Sequence, residues 1–166
     1  MSTFMPYTTD YTNRQVDIEL LQSIAQPVNI QQVSISSVTQ APKAVTGIQK
    51  LVQRYTSALL AYLGTVHFDP TYGTNLIAAV LGGGIQNVAQ LQAAFASASS
   101  LAIGALRSDD RKVDVFGSIP NDENISSAQL LDQQVVYATA TVNLRILITT
   151  LAGDSVTFVV PATASR

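Results

Sequence analysis

Every second residue is apolar along Val136, Ala138, Ala140, Val142, Leu144, Ile146 and Ile148, while Tyr137, Thr139, Thr141, Asn143, Arg145 and Thr149 fill the alternate places. A period of two is the signature of a half-buried strand. Ala152-Gly153-Asp154-Ser155 breaks the run with turn formers, and Val156, Phe158 and Val160 resume it until Pro161. The pattern predicts one long strand over 135–151 and a partner over 156–160, joined as a C-terminal hairpin. Keeping Ile148 on the face of Phe158, and Ile146 on that of Val160, requires an odd-length connection or a bulge. A lone hairpin is marginal in water, so this one must lean on helices, and its long edge could take strands from another chain.

Upstream the period changes. After Pro42, which suits a first helical position, Val45, Ile48, Val52, Tyr55, Leu59 and Tyr62 recur at three- and four-residue steps, predicting a helix that Gly64 stops. Thr74 is placed to cap a short helix over 75–81, which Gly82-Gly83-Gly84 ends. A second long helix is predicted over 87–107, with Asn87 and Gln90 as a capping pair and Val88, Leu91, Phe95, Ala98, Ala102 and Ala105 as its stripe. Ser108-Asp109-Asp110-Arg111 reads as its end, Lys112 to Phe116 as a first strand, and Gly117 to Leu131 as a loop. Residues 1–40, rich in Tyr, Thr, Asn, Gln and Ser and interrupted by Pro6 and Pro27, read as an arm, with an imperfect strand over 28–38. Residues 41–166 form the domain. The expectation is an α+β fold, two long helices and a short one packed on a small antiparallel sheet ending in a C-terminal β-hairpin, with an extended N-terminal arm.

Composition narrows the chemistry. Charged residues make up 12% of the chain, against about 25% in ordinary soluble domains, and the mean hydropathy is positive, a balance that suits either an assembly subunit or a soluble α+β domain with a large core. No stretch reads as the roughly 18 to 20 apolar residues of a membrane span, and Met1 to Asp10 lacks the pattern of a secretory signal. The absence of cysteine excludes disulfides and thiolate chemistry within the sequence. A net charge of −2 with scattered Lys and Arg argues against a nucleic-acid partner. His67 is the sole histidine, leaving no multi-histidine metal site, and the three glycines lack the Lys and Ser/Thr of a phosphate cradle. No cofactor or metal is expected. Glycoside hydrolysis wants two carboxylates about 5 to 10 Å apart, one in an apolar setting. Glu19 and Glu123 are the only glutamates, both in segments that read as irregular, and Asp109-Asp110 reads as a solvated turn. A peptidoglycan hydrolase is therefore the weakest of the readings, and no enzyme is expected. The aromatics Tyr55, Tyr62, Phe68, Tyr72 and Phe95 read as core-facing.

Gly47-Ile48-Gln49-Lys50-Leu51 opening a long helix, the loop Phe68-Asp69-Pro70-Thr71-Tyr72-Gly73-Thr74-Asn75-Leu76, a helix closing in an acid-plus-arginine turn, and a terminal strand pair occur together over 41–161. In this the chain resembles the small baseplate wedge proteins of contractile phage tails, the sheath initiators, which have relatives in type VI secretion baseplates. The Asp-Pro-Tyr-Gly-Thr loop is the most specific part. Where much of the family carries Glu-Pro-Arg, this chain has Asp109-Asp110-Arg111, so Arg111 alone carries over.

The resemblance implies a structural subunit of the virion, made in the bacterial host cytoplasm and present as a ring of six in the tail baseplate. Such a subunit offers a sheet edge on which the tail sheath protein adds strands, and so templates sheath assembly. On that analogy Asn143, Arg145, Leu147 and Thr149, with Val156, Phe158 and Val160, would meet the sheath. Asp69, Tyr72, Gly73, Asp109, Asp110 and Arg111 would face other baseplate wedge subunits, and tail tube or hub proteins are further partners. The alternative is a tail or neck adaptor joining tube and sheath.

Overall fold

A computed structural model of the chain describes residues 17–18, 31–32, 44–113, 119–136 and 141–163. Strand β1 (Asp17–Ile18) pairs antiparallel with β3 (Ala44–Val45), apart from the main sheet. Strand β2 (Gln31–Gln32) belongs to the main sheet, whose strand order is β2-β6-β5-β4, with β4 at Ile125–Val136, β5 at Thr141–Thr150 and β6 at Ser155–Thr163. Strands β4, β5 and β6 are antiparallel, while β2 runs parallel to β6. Three helices, α1 (Gly47–Leu60), α2 (Leu76–Leu81) and α3 (Val88–Val113), complete a mixed α+β fold.

One face of the sheet carries the core. Leu144, Ile146 and Ile148 of β5 and Phe158 and Val160 of β6 are wholly buried, and they join Leu51, Val52, Tyr55 and Leu59 of α1 and Leu91, Phe95 and Leu106 of α3 in one cluster. This is the period-two face packed against period-3.6 stripes. Phe158 stands opposite Ile146, and Val156 opposite Ile148. Tyr55 meets Phe158 edge to face with ring centroids 6.4 Å apart, and its hydroxyl donates to Ser99 Oγ at 2.8 Å, so the one polar group of that ring is satisfied inside the core. At the turn between β5 and β6, Thr150 N–H donates to Asp154 O, and Gly153 N–H donates to Thr150 O.

The structure redraws several boundaries. Val136 pairs with Thr141, so what reads as one strand over 135–151 is the end of β4 and the whole of β5; residues 137–140 lie outside the described set. The predicted loop over 117–131 contains most of the twelve-residue β4. That strand evades a period-two reading because its register shifts at Ser126 and again at Leu131, each extra residue swapping the faces of those that follow. Lys112 and Val113, expected to open a strand over 112–116, belong instead to α3, which continues to Val113; residues 114–118 are not described. Ser108, Asp109 and Asp110 fail to stop α3 because Asp110 pairs with Arg54, while Arg111 and Lys112 sit favourably at the negative end of the helix dipole. Helix α1 starts later than Pro42 suggests, since Val45 is already committed to β3. Of the predicted arm and its strand over 28–38, only residues 17–18 and 31–32 are described.

By length and composition Val88–Lys112 is long and apolar enough to cross a membrane, contrary to the reading that no segment is. Its hydropathy owes much to alanine, and one face is buried, through Leu91, Phe95, Ala98, Ser99, Ala102 and Leu106, whereas Gln90, Gln92, Ser100 and Arg107 are exposed together with the apolar Val88 and Leu101. That is the pattern of a helix packed on a core.

Candidate functional site

The residues expected to meet a sheath strand divide by geometry. Asn143, Arg145, Leu147 and Thr149 lie on the sheet face away from the core, with Arg145 exposed and the other three half-buried. Their strand is interior, however, hydrogen-bonded to β4 on one side and β6 on the other. Its backbone has no free edge to offer, so these residues can present only side chains. Val156, Phe158 and Val160 face inward, and Phe158 and Val160 are wholly buried, which makes them core. The far edge of β6 is met at Phe158 and Val159 by Gln31 and Gln32 of the same chain. Among the described residues, no strand pairs with the outer edge of β4. Leu131, at a bulge on that edge, is about half exposed, and Asp132 stands opposite Arg145.

Of the second group, Asp69, Tyr72 and Asp109 lie near one another. Asp69 Oδ1 accepts from the Thr71 backbone N–H at 3.1 Å and the Thr71 hydroxyl at 2.6 Å. The Thr71 hydroxyl foremost holds the Asp69 carboxyl below its usual range. Lys112 joins the loop to α3, with Nζ 3.0 Å from Asp109 Oδ1 and 3.9 Å from Asp69 Oδ2; hydrogen bonding to Asp109 raises its pKa. Burial pushes the Tyr72 phenol up, and the Asp109 charge adds to the rise. Arg54 of α1 donates to Asp110 Oδ1 at 2.6 Å, tying α1 to α3, and Asp110 is 8% exposed. Asp110 is thus a strut between helices, while Arg111 is exposed. Gly73 is buried at φ +101°, and a Cβ there would stand 2.7 Å from Ala61 O. It permits a close backbone approach and presents nothing to a partner.

The loop before it is braced throughout. Leu63 N–H donates to Thr74 O, Thr74 N–H to Ala61 O, Asp69 N–H to Val66 O and Tyr72 N–H to Asp69 O. Thr74 Oγ1 donates to Leu59 O at 2.6 Å and accepts from Leu76 N–H, fixing the start of α2 as its capping position suggested. On this frame Phe68 is 91% exposed, Tyr62 46% and Leu63 41%. Phe68 and Tyr62 therefore do not face the core as their apolar character suggests. The available signal was local: Phe68 sits between His67 and Asp69-Pro70, in a turn-forming stretch with no sustained period.

Glu123, the carboxylate on which a hydrolytic reading would rest, is 2% exposed. Its Oε2 lies 2.8 Å from Lys50 Nζ, and its Oε1 accepts from Gly47 N–H at 3.1 Å. Thr46 makes no side-chain cap to α1, so this distant carboxylate serves the helix N-terminus instead, where its charge is favourable. Among the described residues no group of three His, Asp or Glu side chains could hold a metal ion. The chain matches no protein-family model and no curated protein.

Proposed function

We propose that this chain is a non-enzymatic structural subunit of a contractile-tail baseplate, six to a ring, which seeds the sheath by accepting or lending strands at a sheet edge. The edge in question is β4. The observation that carries the reading is its twelve-residue length with no strand paired to its outer side among the described residues. An edge of that kind adheres through backbone hydrogen bonds, and the alternate side chains set register. The low charge of the chain and the loop Asp69-Pro70-Thr71-Tyr72-Gly73-Thr74 support the same placement. In this reading β6 is already served by its own β2, and the strap at Gln31–Gln32 holds only two pairs.

The test mixes the full chain and its wedge partners with purified sheath protein and follows nucleated polymer by light scattering and electron microscopy. Gln129, Leu131 and Gln134 are exposed on β4, so the triple substitution Gln129→Lys, Leu131→Lys and Gln134→Lys blunts the edge while sparing the core. Nucleation should fall at least about tenfold with an unchanged melting temperature, since surface changes away from special features usually stay within about 0.5 kcal/mol. Equal nucleation by the folded variant would remove strand addition at β4.

A further inference from the structure

Strand β4 carries two residues that its own sheet does not use. The ten residues of β5 each have a partner on β4, yet β4 is twelve residues long, and the surplus falls at Ser126 and Leu131. Removing both would leave every pair intact, with Ile125, Ala128 and Leu130 still opposite Thr150, Ile148 and Ile146, and Asp132 still opposite Arg145. The core does not use them either. Ser126 and Leu131 are exposed, while Ile125 is buried and Ala128 and Leu130 pack against the core. What the two residues change is the outer edge, because an extra residue bends its strand and interrupts the ladder. The longest run of β4 without a shift is the five residues 132–136, and without the surplus it would be ten. Other protection on β4 is slight. Asp132 is its one charge and no proline or lysine interrupts it, whereas β6 contains Pro161 and has Gln31–Gln32 alongside. In a chain with 12% charged residues, a straight and nearly uncharged edge of that length is a template for a second copy.

We propose that Ser126 and Leu131 guard the β4 edge against a second copy of this chain. Two folded copies bring two rigid, bent edges together, and such edges do not stay within hydrogen-bond distance along their length. A single extended segment of another polypeptide has no such limit, since it can follow the bend or use only the five residues 132–136. The edge is thereby selective by shape, open to a lone strand and closed to another folded copy. The guard acts in the free chain and holds whether or not a sheath strand adds to β4, so it and the proposed function fail separately.

The test uses the full chain alone and compares it with versions lacking Ser126, Leu131 or both. Self-association is measured by sedimentation across a concentration series. Contact at the edge is read from dipolar broadening of a nitroxide on Gln129→Cys, a unique label because the chain has no cysteine. The double deletion should self-associate at least about 100-fold more tightly than the undeleted chain, with each single deletion between the two. Broadening should accompany that association, and cooperative melting should survive each deletion. Adding Gln129→Lys and Gln134→Lys to the double deletion should restore the sedimentation of the undeleted chain. A folded deletion that associates no more than the undeleted chain, association without broadening at position 129, association that the lysines leave unchanged, or broadening already present in the undeleted chain would each overturn the guard. Loss of cooperative melting in all three deletions would overturn it too, because the surplus residues would then serve the domain itself.

Discussion

Gly73 and Tyr55 show how single residues set the limits of this fold. At Gly73 the positive φ and the nearby carbonyls of Ala61 and Tyr62 act together. Gly73→Ala should therefore destabilise by at least about 3 kcal/mol, combining an unfavourable φ with a clash. Gly153→Ala is the comparison, because its φ is +93° but no atom lies within 4 Å of an added Cβ; about 1 to 2 kcal/mol is expected there. Urea titration of both variants measures the difference. Tyr55 carries a pH dependence. Burial pushes its phenol up to about 12, against the pull of the Ser99 hydrogen bond, whereas an unfolded tyrosine titrates near 10. A raised folded pKa means the contribution is whole below about pH 10 and is lost as pH climbs towards 12, about 2 to 3 kcal/mol in all. Unfolding followed across that window should show a steeper alkaline fall for the unsubstituted chain than for Tyr55→Phe.

At the scale of elements, legibility followed periodicity. Helices α1 and α3 and strands β5 and β6 could be read because Leu51-Val52-Tyr55-Leu59, Leu91-Phe95-Ala98-Ala102, Leu144-Ile146-Ile148 and Phe158-Val160 keep one period and are buried. Strand β4 could not, since two bulges break its alternation and its described inward positions include the small Ala128 and the polar Gln133, opposite Ile148 and Leu144. The reversal between Val136 and Thr141 was equally hidden, because Tyr137-Ala138-Thr139-Ala140 contains no turn-forming residue and continues the alternation. The ties made by the candidate loop and turn residues were not legible: Arg54 and Lys112, the cations that hold Asp110 and Asp69, come from elements far away in sequence. The Lys50–Glu123 pair is the same kind of long tie, between α1 and the approach to β4, and a mutant cycle can weigh it. Lys50→Met and Glu123→Leu should each cost about 3 to 5 kcal/mol by stranding a buried charge. Combined, they should cost at least about 2 kcal/mol less than their sum, as read from denaturant midpoints.

The whole molecule is closed by its last two strands. Leu144, Ile146, Ile148, Phe158 and Val160, all at 0% exposure, come from β5 and β6, and without them α1 and α3 have no sheet to cover. A chain ending at residue 140 should therefore show no cooperative thermal transition by near-ultraviolet circular dichroism, while one ending at residue 163 should melt as the full chain does. Shortening the C-terminal end is thus no way to probe an interaction surface here, and point changes on the exposed side of β4 are needed.

The carboxylate that greets the first turn of α1 has one further effect, and it concerns time. Glu123 is separated from Gly47 by 76 positions, so a growing polypeptide makes α1 long before its terminus can be neutralised. Contacts this distant in sequence delay folding. Until synthesis is nearly finished the apolar stripe of α1, from Leu51 to Leu59, stays without the sheet that covers it.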